Sequence, residues 1–187
     1  MRNTSDIKET LFDEIYSAKA DFFLVDEAVA SAAGLLGELD KPNCKRVLLS
    51  GKKSRTCPDF MEEVYGKLKF PSYFGRNWSA FSDSFQERLW QDEDHYQQYL
   101  LVFTDADDLL ADAVDDDLSA LLETLQDTIE ALADPESIMA IKVVFCLKNS
   151  ACSRIGVGII NGNHQGKVVQ SDRSTPSQQT APAASII

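Results

Sequence analysis

Three short runs limit what this chain can fold into: RVLLSG (46–51), YLLVFT (99–104) and IKVVFCL (141–147). Each is strand-length, rich in β-branched or aromatic residues, and almost continuously apolar, the pattern of strands covered on both faces. The intervals between them are far longer than hairpin turns and carry helical spacing, so parallel strands joined by helical crossovers are expected. The fold class is therefore α/β, with its core between residues 45 and 147.

Before this core, residues 1–44 form an N-terminal extension with two amphipathic patterns around FFLV (22–25), read as helical with one short strand. After it, residues 148–187 form a C-terminal extension. There SRIGVGIINGNHQGKVVQ is either a hairpin about the NGNHQG turn or a loose extension, and SDRSTPSQQTAPAAS has the composition of a disordered tail. With 187 residues, 44 % of them hydrophobic, one domain can bury a proper core. No apolar run reaches bilayer length and the first residues lack a hydrophobic leader, so a cytoplasmic protein is expected.

The first crossover opens at Thr56, where Pro58 suits an initial turn and Phe60, Met61, Val64 and Leu68 make one apolar stripe. Next comes FPSYFGRNWSAFSDSF (70–85), with six aromatics, a proline and a glycine in sixteen residues. Gly75 would permit a sharp turn, Tyr73 and Phe74 would pin the loop, and Asn77 suits the N-cap of a second helix. At about 100° per residue, Trp78, Phe81, Phe85 and Leu89 share its inner side. Ser79, Asp83, Gln86 and Trp90 share the outer one. An exposed tryptophan beside a carboxylate has hot-spot composition; the alternative is that Trp90 folds back onto the core at the helix end.

Charge is unevenly placed. Formal net charge is −12, and residues 45–147 hold twenty acidic against ten basic side chains. Between Arg88 and Lys142 there are fifteen Asp or Glu residues and no Lys or Arg. Binding nucleic acid through its phosphates needs cations, so the balance points instead to a basic partner. In the helix expected after the second strand, Leu118, Leu121, Leu122, Leu125, Ile129 and Leu132 face inward, while Asp116, Glu123, Asp127, Glu130 and Asp134 line the opposite side. A stripe without compensating cations repels itself, a cost easier to understand if its field steers a basic protein.

The aromatic loop, the PDFMEEVYGKLK helix before it, the YLLVF strand after it and the final IKVVFCL strand together resemble the barstar family, intracellular inhibitors of the ribonuclease barnase. The resemblance covers roughly residues 45–147. It implies a small three-stranded parallel sheet with helices packed on it, no catalysis, and a loop and second helix that plug the active site of a basic ribonuclease. By position, Tyr73, Asn77 and Asp83 match the family's contact residues, with Asp83 in the place of a substrate phosphate. Three positions depart from it: Ser79 replaces a second acid, Ser82 a tryptophan and Gln86 a threonine. The family also uses acids of its last helix at the interface rim, for which Glu130 and Asp134 are the candidates here.

The implied function is a ribonuclease inhibitor or the immunity protein of a nuclease toxin. Two other readings keep the fold: a binding module for another basic protein, or an acidic mimic of nucleic acid. An enzyme has little to work with, since His95 and His164 lie far apart and no glycine-rich phosphate loop is present. Neither cofactor nor metal is indicated. Cys44, Cys57, Cys146 and Cys152 lack ligand spacing and are expected as reduced thiols, and the acids of DADDLLADAVDDD match no calcium loop.

Overall fold

The computed structural model describes residues 11, 13–17, 19–36, 43–132, 139–148, 153–161 and 166–169. Five strands, β1 (Phe22–Asp26), β2 (Cys44–Ser50), β3 (Gln98–Thr104), β4 (Ala140–Leu147) and β5 (Gly166–Val169), form one sheet in the order β2-β3-β4-β1-β5. Every neighbouring pair is parallel. The helices are α1 (Glu27–Ala32), α2 (Cys57–Leu68), α3 (Trp78–Glu93), α4 (Asp115–Ala131) and α5 (Arg154–Asn161).

Strand order decides which face each helix covers. From β2 through β4 the chain moves steadily across the sheet, and right-handed crossovers in one direction put their helices on one face. The step from β1 to β2 runs the other way and leaves its connection on the opposite face. Side chains follow suit. On the first face Val47, Leu101, Val143 and Phe22 sit side by side, followed by Leu49, Phe103, Phe145 and Leu24. These pack with Phe60, Phe81, Phe85, Leu121, Leu125 and Ile155 into the larger core. On the second face Leu100, Val102, Val144, Phe23 and Val25 are closed over by Leu11, Ile15, Ala30 and Leu35. Each large side chain so buried contributes about 1.5–3 kcal/mol.

The three-stranded expectation therefore falls short. FFLV supplies β1, whose side chains from Phe22 to Val25 are all buried because it lies between β4 and β5. The segment is tied down further by Arg46, whose guanidinium donates to the carbonyls of Leu35 at 2.6 Å and Gly34 at 3.4 Å. No hairpin forms about the NGNHQG stretch. Residues 154–161 are helical, with Ile155 and Ile159 buried, and β5 runs parallel to β1. The glycines that make this stretch read as turn-rich let the helix approach: a Cβ on Gly158 would lie 2.9 Å from Leu122 Cδ1, and one on Gly156 3.1 Å from Leu24 Cδ1.

Between β3 and α4 the acidic stretch is broken, not one long helix. Leu110 adopts φ 51°, and its N–H donates to Ser54 O at 2.8 Å while that of Asp112 donates to Arg55 O at 2.9 Å. Arg55 also grips the carboxylates of Asp108 and Asp112, and Lys52 meets Asp105. The side-chain and backbone partners supplied by 51–55 thus outcompete continuation of the helix. Gly51 makes this approach possible: an added Cβ would stand 2.2 Å from the Asp105 carbonyl oxygen and 3.1 Å from the Leu109 nitrogen. Because both obstacles are backbone, Gly51→Ala is expected to lower stability by about 1–3 kcal/mol, read as a lower urea midpoint with unchanged slope.

Candidate functional site

The loop that introduces α3 is fixed from beneath. α2 begins at its N-cap Thr56, whose hydroxyl accepts from Asp59 N, and ends at Lys69 in the left-handed region at φ 55°. Phe70 and Phe74 then turn into the core with ring centroids 4.9 Å apart, and Phe74 stacks parallel to Tyr65 at 6.3 Å. Arg76 lies over the outer part of this cluster, 4.8 Å from the Tyr65 ring centre and ion-paired with Glu62. Two expectations need correction. Tyr73 does not pin the loop: it is 74 % exposed, with its hydroxyl 3.5 Å from Glu87 Oε2. The second concerns the turn that Gly75 was expected to permit, where the left-handed residue is Arg76 at φ 50°. Gly75 is small because a Cβ there would crowd the capping amide, 3.3 Å from Asn77 Nδ2 and 3.2 Å from Ala80 Cβ.

Asn77 caps α3: its Oδ1 accepts from Ala80 N at 2.9 Å and its Nδ2 donates to Gly75 O at 3.2 Å. The side chain is exposed and leads directly into the outer face, so it can cap and face a partner at once. Asn77→Ala should cost about 1 kcal/mol of stability, while Asn77→Asp or Ser should restore most of it, as thermal unfolding would reveal.

The inner side of α3 behaves as its spacing predicts. Phe81, Phe85 and Leu89 are fully buried, and half-buried Trp78 stacks 5.4 Å from Phe60 while its Nε1 donates to Asp117 at 2.9 Å. With that side locked, the outer side is presented rigidly. Ser79 and Asp83 are exposed, Gln86 is half-buried with its Nε2 3.3 Å from Ser82 Oγ, and Trp90 is 59 % exposed. Trp90 therefore faces outward and does not fold back. The Asp83 carboxylate makes no hydrogen bond or ion pair with any described residue. Asp83 to Trp90 is two helical turns, about 10 Å along one side.

Sequence reasoning missed what holds the far end of α3. Asp92 is only 2 % exposed, although it stands within the acidic stretch. Its carboxylate takes Lys45 Nζ of β2 at 2.5 Å and Arg88 Nε at 3.0 Å. Burial pushes this carboxyl up, but the hydrogen bonds from Arg88 and Lys45, with their charges, outweigh it and hold it below the ordinary range. The helix is thereby tied to the sheet edge just past Trp90. The one sequence clue was Arg88 four residues earlier, helical ion-pair spacing.

On α4, Leu121, Leu122 and Leu125 are buried and Asp116, Glu123, Asp127 and Glu130 exposed, as expected; Glu130 accepts from Gln126 Nε2 at 2.8 Å. Asp134 lies outside the described residues, as do Cys152 and His164. Much of the acidic surplus is engaged locally, by Lys45 and Arg88, Lys52, Arg55 and the Trp78 indole. Burial pushes the Cys57 thiol up to about 11, helped by nearby Asp117, and that of Cys146 up to about 12, so both are protonated and poorly reactive at neutral pH. Among the described residues no group of acids, cysteines and histidines could hold a metal, and no helix is long and apolar enough to cross a membrane.

This arrangement, an aromatic loop anchored by buried Phe70 and Phe74 and delivering a capped helix whose outer face carries Asp83, coincides with a family match. The model for Barstar (barnase inhibitor) matches residues 44–144, more than half of the chain. The chain belongs to the Barstar family. The match begins at β2 and ends within β4, so it contains the aromatic loop, α3 and α4 and leaves out β1, α5 and β5. The additional strands extend the sheet on the side of β4 away from β2 and α3. No curated protein matches this chain. Among solved structures, Cdc6p from Pyrobaculum aerophilum aligns at a TM-score of 0.47 and 18 % identity, over 91 % of this chain and 46 % of that one. The chain thus spans about half the length of that protein, and a likeness this slight carries no argument.

Proposed function

We propose that this Barstar-family protein inhibits a basic ribonuclease by plugging its active site with the 73–90 loop and helix, acting by binding and not by catalysis. The observation that carries the reading is Asp83: a carboxylate without an ion pair among the described residues, centred on an exposed face whose other members are Ser79, Gln86 and Trp90. Elsewhere the acids of this region mostly have protein partners. One left open on a rigid helix suits a cluster of Arg, Lys or His that otherwise binds a phosphate. Tyr73 and Asn77 flank it on the loop side. Glu130, with the exposed acids of α4, supplies the rim and the field that draws a basic protein in. The same inhibitor could protect the cell that makes the ribonuclease or serve as immunity partner to a nuclease toxin, for the chemistry of the contact is identical.

The test is direct. Barnase cleaving a fluorogenic RNA is titrated with the purified protein, and activity is expected to fall to a stoichiometric end point. Unchanged cleavage at micromolar excess would remove the reading. If the protein were instead a mimic of nucleic acid, neutralising Asp116, Glu123 and Asp127 together would weaken its complexes more than any change at Asp83.

A further inference from the structure

The outer face of α3 does not stop at Asp83. One turn further on it carries Gln86 and Glu87, and at its end Trp90, 59 % exposed, with Asp94 four residues later at the C-cap. Glu87 is held in place between the Tyr73 hydroxyl, 3.5 Å from its Oε2, and Gln91 Nε2, 3.2 Å from its Oε1. The last turn of α3 contains no basic residue, and the nearby cations Arg88 and Lys45 are both committed to Asp92. An exposed indole thus stands between two carboxylates that neighbour it at helical spacing, at the negative end of a helix dipole.

We infer that Trp90 is a second anchor for the same partner, receiving an arginine or lysine side chain of the basic ribonuclease on its ring face while Glu87 and Asp94 meet the charge. This rests on the ribonuclease reading above. Two observations select that occupant. The patch is continuous with the Asp83 face along one side of one helix, and its aromatic-plus-acid chemistry complements a cation and not an apolar groove. Trp90 would then set which ribonuclease is bound, since only one with a cation at that distance from its phosphate cluster can use both anchors.

The test measures dissociation constants for barnase with wild type, Asp83→Ala, Trp90→Ala, Trp90→Phe and Trp90→Leu, each checked by thermal unfolding. Trp90→Ala is expected to weaken binding about tenfold to thirtyfold, mainly through faster dissociation. Trp90→Phe, which keeps a π face, should retain more affinity than Trp90→Leu, which keeps only apolar area. If Asp83→Ala loses binding while Trp90→Ala matches wild type, the second anchor is overturned and the plug stands. Equal losses for Phe and Leu would overturn the cation. No binding by wild type would overturn the ribonuclease reading and this inference with it. An independent readout is 5-fluorotryptophan in this chain alone, which gives one signal each for Trp78 and Trp90; in the complex the Trp90 signal should shift and the Trp78 signal stay.

Discussion

Asp83→Ala is expected to weaken the complex with barnase by about 2–5 kcal/mol, or roughly thirtyfold to several thousandfold, almost entirely in the dissociation rate. The size follows from what is left behind. A cluster of cations shaped for a phosphate would be buried under the helix with no counter-charge, and the cost of an unpaired buried charge exceeds the net worth of the pair itself. The barnase–barstar complex is itself the reference case for charge pairs of this strength. In the free protein the substitution should be nearly silent, within about 0.5 kcal/mol, because Asp83 is exposed and touches no partner there. That contrast gives the experiment its force. Asp83→Lys should do more harm than Asp83→Ala, since it places like charges together. Titration calorimetry at two salt concentrations would separate contact from steering: acids at the rim of α4 should alter the association rate and its salt dependence, Asp83 the lifetime of the complex. Wild-type affinity in Asp83→Ala would mean that the face is not the plug.

The second large effect concerns stability. Asp92→Ala is expected to lower it by about 3 kcal/mol, the low end for a buried pair that loses one member, because Lys45 and Arg88 keep 26 % and 23 % of their side-chain surface in water and can partly rehydrate. The released end of α3 also carries Trp90, so partner binding should weaken even though Asp92 itself is buried. Acid should imitate the substitution. The folded carboxyl titrates below the ordinary value, so at neutral pH its stabilisation is fully present. As the pH falls past about 3.9 an unfolded aspartate takes up a proton that the folded one still refuses, and stability is lost until the pH passes the lowered folded value. Urea midpoints across this interval should fall more steeply for wild type than for Asp92→Asn. Parallel curves would show that the pair contributes nothing at acid pH.

The parts of the fold that could be read in advance were those set by local chemistry. Asn77 stands as the cap its amide suggested, α2 opens at Thr56, and the inner stripes of α2, α3 and α4 face the core, buried except for half-buried Trp78, Leu118 and Ile129. The face of Ser79, Asp83, Gln86 and Trp90 followed from the same 3.6-residue period. Periodicity does not say whether anything lies over a face, and the exposure of Trp90 depended on how the chain after Glu93 turns away. Tyr73 went the other way: an aromatic in an aromatic loop looked like an anchor, but Phe70 and Phe74 fill the space beneath and leave it outside.

By itself the sequence determined three apolar strands in parallel order, the helices between them and the face that carries Asp83, because strand and helix periods are properties of neighbouring residues. Tertiary structure alone decided that the short strand expected around FFLV lies between β4 and β5, since its place depends on the neighbours that supply its hydrogen bonds. It likewise decided that Asp92 is internal. A carboxylate is ordinarily solvated, and burying it became favourable only when Lys45, 47 residues earlier in the chain, arrived beside Arg88.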